Sequence, residues 1–392
     1  MRKYINTLLF ILLLTFYGNA QNVIESSLQE VMNQRNEEMI SINIVLKSQM
    51  KPAELRDIAT RHSDRDVKKE VIIETLKQHS NKEQSDVLSI LNAEKRNNSV
   101  IDINSHWLVN SINCKATREV IYMLAQHPDI AMIEYNDSKK VVSDIKGERV
   151  TSAETLAKHV SKVNADKVWK MGYTGKGVVV AVLDTGTNFD HADINSDNLW
   201  DGGSEYPYNG YNVINPTMRP YDDNSHGSHC AGIICGTGAG GTATGIAPGA
   251  TLMTVKVADD TGWTTMEYMT EGIEFAIENG ADVMSISIGW QDPTVEESTI
   301  FRHIFDNTLE LGVLSSIAAG NDKDEIYFYP VPQNINAPGN CPPAWIHPDQ
   351  EVNAGGVSGV ISVGAVNDSD GEADFSSKGP VTWQDTEWAD YP

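Results

Sequence analysis

The chain has 392 residues, with 30 basic side chains against 54 acidic ones, 40% hydrophobic residues and 4 Cys. That length and apolar share suit about two domains with cores of their own, and they exclude a disordered chain and a disulfide scaffold. A net charge of −24 excludes a nucleic-acid binder, because phosphate recognition is built on Lys and Arg. The charge is also unevenly placed. Residues 1–150 hold 20 basic and 20 acidic groups, which leaves 10 basic and 34 acidic groups for residues 151–392, so two electrostatically different parts meet near residue 150.

At the N-terminus, Arg2 and Lys3 precede an apolar run from Leu8 to Phe16, and Gly18-Asn19-Ala20 follows. The run is too short to span a bilayer, and the small residues of the triplet suit a signal peptidase. The expectation is a signal peptide, residues 1–20, cleaved after Ala20, with export of the rest and no membrane span.

From Met39 to Leu46 the residues alternate, with Ile40, Ile42 and Ile44 on one face, which predicts a half-buried strand. Asp66 to Leu91 predicts helix in two pieces around Ser80-Asn81. Val100–Ile103 and Trp107–Ile112 predict strands separated by Asn104-Ser105. Thr117 can cap a short helix carrying Val120, Ile121 and Leu124, and Ala131, Ile133 and Tyr135 alternate as a last strand. The order β-α-β-β-α-β predicts a small α+β, ferredoxin-like domain over residues 21–140. Residues 141–158 continue as a polar linker.

The second part has another rhythm. Val178 to Leu183 is uninterruptedly apolar, as expected of a strand buried on both faces of a parallel sheet. Leu252–Val257, Val283–Ile288, Val313–Ala319 and Val360–Val366 predict further strands. Thr265–Asn279 and Val295–Leu311 predict helices, each stopped by a glycine (Gly280, Gly312). Strand and helix alternate, so residues 159–392 are expected to form an α/β domain with a parallel sheet, which binds ligands beyond the carboxyl ends of its strands. Asp184-Thr185-Gly186, Ser287-Ile288-Gly289 and Gly320-Asn321 fall at such ends. With His226, they offer a carboxylate, a base and an amide donor, as acyl transfer through a serine requires.

Alone, each of these residues has an ordinary structural explanation as a turn, cap or packing residue. Together, in order, they sit in longer patterns: TGKG leading into VVVAVLDTG, NSHGSHCAGII, GIAPGATLMTVKV, SISIG, AAGND, and SVGAVND with FSSKGP. The sequence thereby resembles the subtilisin-like serine proteases over most of residues 159–380, and residues 21–140 resemble the family's inhibitory propeptide. The resemblance implies a secreted serine endopeptidase made as an autoinhibited precursor. Asp184 would orient the imidazole, His226 would be the general base and then acid, and Asn321 would be the oxyanion donor. Ser287, Ile288 and Gly289, with Ala318, Ala319 and Gly320, would line the substrate pocket, and Asp259–Trp263 would run along the bound peptide. The implied partners are a peptide or protein substrate and the propeptide itself, on a monomer. No cofactor is required; structural calcium would draw on carboxylates such as Asp368, Asp370, Glu372 and Asp374.

The family's nucleophile sits in a Gly-Thr-Ser-Met-Ala-like motif after FSSKGP, and no such motif occurs before Pro392. The expectation is a catalytic domain cut short before its serine. A subtilisin without its serine loses about 10⁶ in turnover, so residues 1–392 alone are not expected to cleave peptides. The competing reading is a secreted, non-catalytic peptide-binding protein on the same scaffold. Ser358, in GGVSG, is expected to be structural.

Two other patterns are weighed and set aside. Gly236–Gly241 fits G-x-G-x-x-G but follows a helix rather than a strand, against the dinucleotide context. His226 and His229, with Asp222-Asp223 nearby, could hold a metal but lack the His-Glu-x-x-His spacing of zinc hydrolases. Cys230 and Cys235 are too far apart on one helix to bridge, and no disulfide is expected.

Overall fold

The computed structural model describes residues 23–34, 39–142, 155–194, 198–291, 295–325, 327–331, 334–341 and 358–379. The expected signal peptide, the middle of the linker and the end of the chain from residue 380 lie outside them. The structure divides into two units, Met1–Asp137 and Ser138–Pro392.

In the first unit, α1 (Ser26–Gln34), β1 (Ile40–Leu46), α2 (Pro52–Thr60), α3 (Arg65–Glu83), α4 (Ser85–Arg96), β2 (Val100–His106), β3 (Ser111–Ala116), α5 (Arg118–Leu124) and β4 (Ile130–Tyr135) follow one another. The strands form an antiparallel sheet in the order β2-β3-β1-β4. Ile40, Ile42 and Ile44 of β1 enter a core with Leu91, Cys114, Ile121 and Ile133. Three details differ from the sequence reading. The break between α3 and α4 falls at Gln84, whose amide donates to His106 O, Asn110 Oδ1 and Ser111 O. Asn104 and Ser105 stay inside β2, and the reversal comes at Trp107–Asn110. Thr117 precedes α5 without a side-chain capping bond.

The second unit opens with β5 (Lys139–Lys140), α6 (Lys158–Lys162) and α7 (Ala165–Lys170). Its sheet is built from β6 (Val179–Asp184), β7 (Gly210–Asn212), β8 (Thr251–Lys256), β10 (Val283–Ile286), β11 (Leu314–Ala318) and β12 (Ile361–Val363), and β9 (Trp263–Thr264) pairs with β5 outside it. The order is β12-β11-β10-β6-β8-β7, parallel throughout, so the domain is α/β as expected. The connecting helices are α8 (His226–Cys235), α9 (Met266–Glu278) and α10 (Val295–Glu310). Ala231 and Cys235 of α8 pack on Val182 and Leu252. Gly272 brings α9 close to the sheet: a Cβ there would lie 2.4 Å from Val257 Cγ1.

The expected boundary moves. Residues 139–142, expected at the end of the first domain and the start of a linker, belong to the second unit. There they form hydrogen-bonded pairs with Gly262, Trp263 and Thr264. Further on, Ala157 N donates to Ala243 O, and Ala243 N to Thr155 O. Among the described residues, no helix is long and apolar enough to cross a membrane.

Candidate active site

The sheet changes direction of growth at β6: later strands add β8 and β7 on one side and β10, β11 and β12 on the other. The carboxyl end of such a strand opens onto a crevice, and Asp184 is its last residue. Asp184 is 1% exposed, and its carbonyl accepts from Val257 N and Ala258 N, which fixes the strand end to the chain leaving β8. Its Oδ1 accepts from Thr185 N at 2.8 Å and from His226 Nδ1 at 2.7 Å. With Nδ1 committed to the carboxylate, Nε2 is the ring nitrogen left for a reacting proton.

His226 is the first residue of α8, and this helix start is held to the strand end by one carboxylate. Asp222 Oδ1 accepts from Thr185 Oγ1 (2.9 Å), Asn224 N (3.0 Å) and Ser225 N (2.9 Å), and Oδ2 accepts from Ser228 N (2.8 Å) and Ser228 Oγ (2.5 Å). Thr185 Oγ1 in turn accepts from Gly227 N at 2.9 Å. Asp184 and His226 thus sit next to residues tied to the same group. Burial alone would raise the Asp222 carboxyl, but the bonds from Ser228, Ser225 and Asn224 outweigh it and hold its pKa below the usual value. A depressed carboxyl pKa stabilises the fold above the unfolded value, and that stability is lost as pH falls through the folded value. Asp222→Asn is expected to cost about 2–4 kcal/mol at neutral pH. It should also flatten the loss of stability below about pH 4, both read from urea unfolding across pH.

Gly227 is required by close approach. A Cβ there would lie 2.2 Å from Gly186 O, a backbone atom that cannot step aside cheaply. Gly227→Ala is expected to cost about 1–3 kcal/mol through overpacking and to push His226 away from Asp184; a lower urea midpoint checks the first effect.

Burial works to lower the pKa of His226, but the hydrogen bond to Asp184, the Cys230 thiol and the Asp184 charge together raise it. Cys230 lies one helical turn on, with Sγ 3.9 Å from His226 Nδ1, and burial pushes its own pKa up. A cavity of about 710 Å³ opens beside this group; His226, Cys230, Ser287, Gly289 and Asn321 are among its lining.

Lys140, Val141 and Val142 line the same cavity. β5 pairs antiparallel with β9, Lys139 opposite Thr264 and Lys140 opposite Trp263. Val141 N and Val142 N both point at Gly262 O, at 2.9 and 3.3 Å, while Val141 O accepts from Gly289 N at 3.2 Å. Residues 139–142 therefore lie as a strand between two segments, one around Gly262 and one at Gly289, in the manner of a peptide added to an exposed edge. Gly262 has φ +81°, and a Cβ on it would come 2.7 Å from Val142 Cβ.

Of the residues singled out from sequence, the structure brings His226, Ser287, Gly289 and Asn321 together around one cavity, with Asp184 buried behind His226 and bonded to its Nδ1. Ile288 (2% exposed) and Ala319 (3% exposed) are buried; the Ala319 backbone is bonded to Val363 and Asn336. Ala318 and Gly320 are half-buried and, like these two, are not among the cavity's lining residues. They support the loop that carries Asn321. Asp259 caps its own turn, accepting from Thr261 and Trp263. The sequence reading missed Cys230 as a neighbour of His226, although i, i+4 spacing on a helix is a sufficient signal. It missed Asp222 as an anchor, and residues 140–142 as part of the cavity's lining.

The alternatives set aside on sequence find other employment. Asp222 is spent on backbone and hydroxyl donors, and Asp223 on Lys256 Nζ, so neither faces His229 as a metal ligand. Gly236–Gly241 follows α8 and turns at Gly238 (φ +80°). Ser358 Oγ donates to Cys341 O. All four cysteines are free. Of the carboxylates named for calcium, Asp370 pairs with Lys162 and Glu372 with Lys323 and Lys378, and the nearby Asn367 Oδ1 accepts from Ser369 N and Gly371 N.

Comparison with known proteins agrees with this geometry. The model of the subtilase family matches residues 175–390. The chain is similar to subtilisin E of Bacillus subtilis (strain 168), 32% identical over 228 residues, 58% of this chain and 51% of that protein. It is similar to the minor extracellular protease Epr of the same strain, 30% identical over 272 residues, 67% of this chain and 36% of that one. Bacillopeptidase F, also from that strain, is 26% identical over 283 residues, 64% of this chain and 19% of that protein. The chain thus spans between 19% and 51% of the length of these relatives. With more than half of its residues matched by the family model, and its Asp–His pair at the end of the central strand, the chain belongs to the subtilase family.

Proposed function

We propose that the protein is an exported serine endopeptidase, made as a precursor whose own segment 139–142 fills the substrate groove. One observation carries the reading: a strand of the chain lies in the groove beside the Asp184–His226 pair, bonded to Gly262 and Gly289 as a substrate backbone would be. In the proposed reaction His226 Nε2 takes the proton of a serine hydroxyl supplied from beyond residue 392. Asp184 holds the imidazole and stabilises its charge, and the Asn321 amide donates to the oxyanion. His226 then returns the proton to the leaving amine. The basic-apolar-small N-terminus and the similarity to a minor extracellular protease support export. Hydrolysis by this route uses no cofactor.

The test is the full-length gene product treated with a fluorophosphonate probe before and after proteolytic release of residues 1–142. Labelling of one serine that rises on release, together with hydrolysis of a denatured protein, is the expected result. A product that never labels yet binds extended peptides would instead establish the peptide-binding reading, since the backbone donors and acceptors of the groove do not depend on a nucleophile.

A further inference from the structure

The segment that follows Asn321 takes no part in the proposed reaction, yet it borders the same cavity. Lys323–Glu325 forms one 3₁₀ turn, and Glu325 is among the residues that line the cavity. The Glu325 carbonyl accepts from Phe328 N at 2.9 Å and from Tyr329 N at 2.8 Å. Two side chains of this reversal stand in water. Tyr327 is 88% exposed, the highest value for a large hydrophobic side chain among the described residues, and Phe328 is 70% exposed. Their ring centroids are 5.4 Å apart with the planes at 89°, edge to face. A third ring, Phe375 of FSSKGP, is 37% exposed and lines the cavity itself. Single exposed apolar residues are ordinary, but large rings gathered in solvent at the edge of a groove mark an interaction site.

The rings are mounted on a braced support. Asn334 Nδ2 donates to Tyr329 O at 2.9 Å and to Asp322 O at 2.7 Å, and Asn334 Oδ1 accepts from Lys378 N at 2.7 Å. Lys323 N donates to Phe375 O at 3.2 Å, Asp322 N donates to Ser377 Oγ at 3.0 Å, and Lys323 Nζ pairs with Glu372 at 3.2 Å. The turn is thus tied at both ends to the segment that carries Phe375. Aromatic side chains have few rotamers to lose, so rings on such a support bind at a small entropic cost.

We propose that Tyr327 and Phe328 form an accessory docking site, outside the catalytic cavity, for an aromatic or long aliphatic side chain of an extended polypeptide. Continuity with the groove selects this occupant. The cavity takes a backbone as a strand, and Glu325, which lines it, is two and three residues from the two rings. The rim sets the charge. Asp324 and Glu325 are exposed, while Lys323 of the same turn spends its charge on Glu372, so acidic segments are repelled and neutral or basic ones admitted. Large apolar side chains on an extended chain belong to unfolded protein, because a folded one buries them. The site therefore favours unfolded over native protein as the partner. That this partner is a substrate rests on the proposed function; the docking itself does not.

The test uses the full-length protein freed of residues 1–142 and three fluorogenic peptides with one scissile core. The first is confined to the core; the other two extend it on both sides to about 12 residues, roughly 40 Å of strand, with Phe or with Ser at the flanking positions. The double variant Tyr327→Ser, Phe328→Ser is expected to raise KM for the long Phe peptide by about 5–20-fold. Its kcat and KM for the core peptide and for the long Ser peptide are expected to match wild type. Tyr327→Phe with Phe328→Tyr keeps both rings and is expected to keep the wild-type KM throughout. Both side chains are exposed, so the variants are expected to fold, which circular dichroism checks. Equal losses on the core and the long Phe peptide, or no change on any, overturn the proposal. Fluorescence anisotropy of the labelled long Phe peptide separates it from the proposed function. A protein that hydrolyses nothing, but binds this peptide more weakly by the same factor in the double variant, counts against the proposed function alone.

Discussion

Asp184→Asn in the full-length protein is expected to lower kcat/KM by about 10⁴, a magnitude that comes from serine proteases, a subtilisin among them, rather than from this chain. The reason lies in the tautomer. Asp184 Oδ1 takes the Nδ1 proton at 2.7 Å, which leaves Nε2 free to accept from the nucleophile. An Asn whose amide nitrogen faces the ring would donate to Nδ1 instead, and Nε2 would then carry the proton it is meant to receive. The protein loses charge stabilisation as well: the Asp184 bond and charge are two of the causes that raise the His226 pKa above 6.5 against burial. A general base must be neutral in the free enzyme, so the wild-type rate rises with pH through a midpoint above the ordinary imidazole value, and Asp184→Asn moves that midpoint down. Stability follows with its own sign. A raised histidine pKa contributes stability that is fully present below about pH 6.5 and lost as pH rises through the folded value, and the variant forfeits it. A pH–rate profile of both proteins measures the effect. An unchanged rate, or a midpoint that stays put, would sink the assignment.

Why the pair was legible while its surroundings were not comes down to the range of the forces involved. The strand β6 announces itself because burial on both faces demands an uninterrupted apolar run, and the acid at its end has few other places to be. Helix α8 is legible for the same local reason: small residues at 227, 228, 231 and 232 let a helix begin against a strand. Residues 139–142 carry no such mark. Two lysines followed by two valines read as the edge of a linker, because their hydrogen bonds go to Gly262 and Gly289, more than a hundred residues away in sequence. The helix break at Gln84 escaped for a related reason. Ser80-Asn81 is the poorer helix-forming pair, but the side chain of Gln84 is bonded to His106, Asn110, Ser111 and Ser105 around the β2–β3 reversal, and tertiary bonds override propensity. Strand β7 has only three residues, too short for any periodicity. In sequence, Asp222-Asp223 stand out only as neighbours of His226 and His229 that could help hold a metal; the structure separates them, giving one to the helix start and the other to Lys256.

The same contrast bears on Asn321, where the family resemblance assigns a role and the surrounding structure supplies the means. Asn321 is exposed on the cavity that His226 lines, and its neighbours on both sides are fixed. Gly320 holds φ +112° against Asn336 and Ser377, with a would-be Cβ 2.7–2.8 Å from each. Asp322 N donates to Ser377 Oγ at 3.0 Å, and Asp322 O accepts from Asn334 Nδ2 at 2.7 Å. An amide mounted on such a loop meets a developing oxyanion without first having to be ordered, and preorganisation of this kind is where the catalytic gain lies. Asn321→Ala in the full-length protein is therefore expected to lower kcat by about 10²–10³, a range established on the corresponding donor of a subtilisin, or roughly 3–4 kcal/mol. KM is expected to hold, because the bond is made to charge that exists only in the transition state. Asn321→Asp sharpens the test. It keeps the shape of the side chain but presents an anion to an anion, so it is expected to fall at least as far as the alanine variant. If kcat survives either change within about twofold, or if the loss appears in KM, the oxyanion is stabilised from elsewhere and Asn321 serves only the loop.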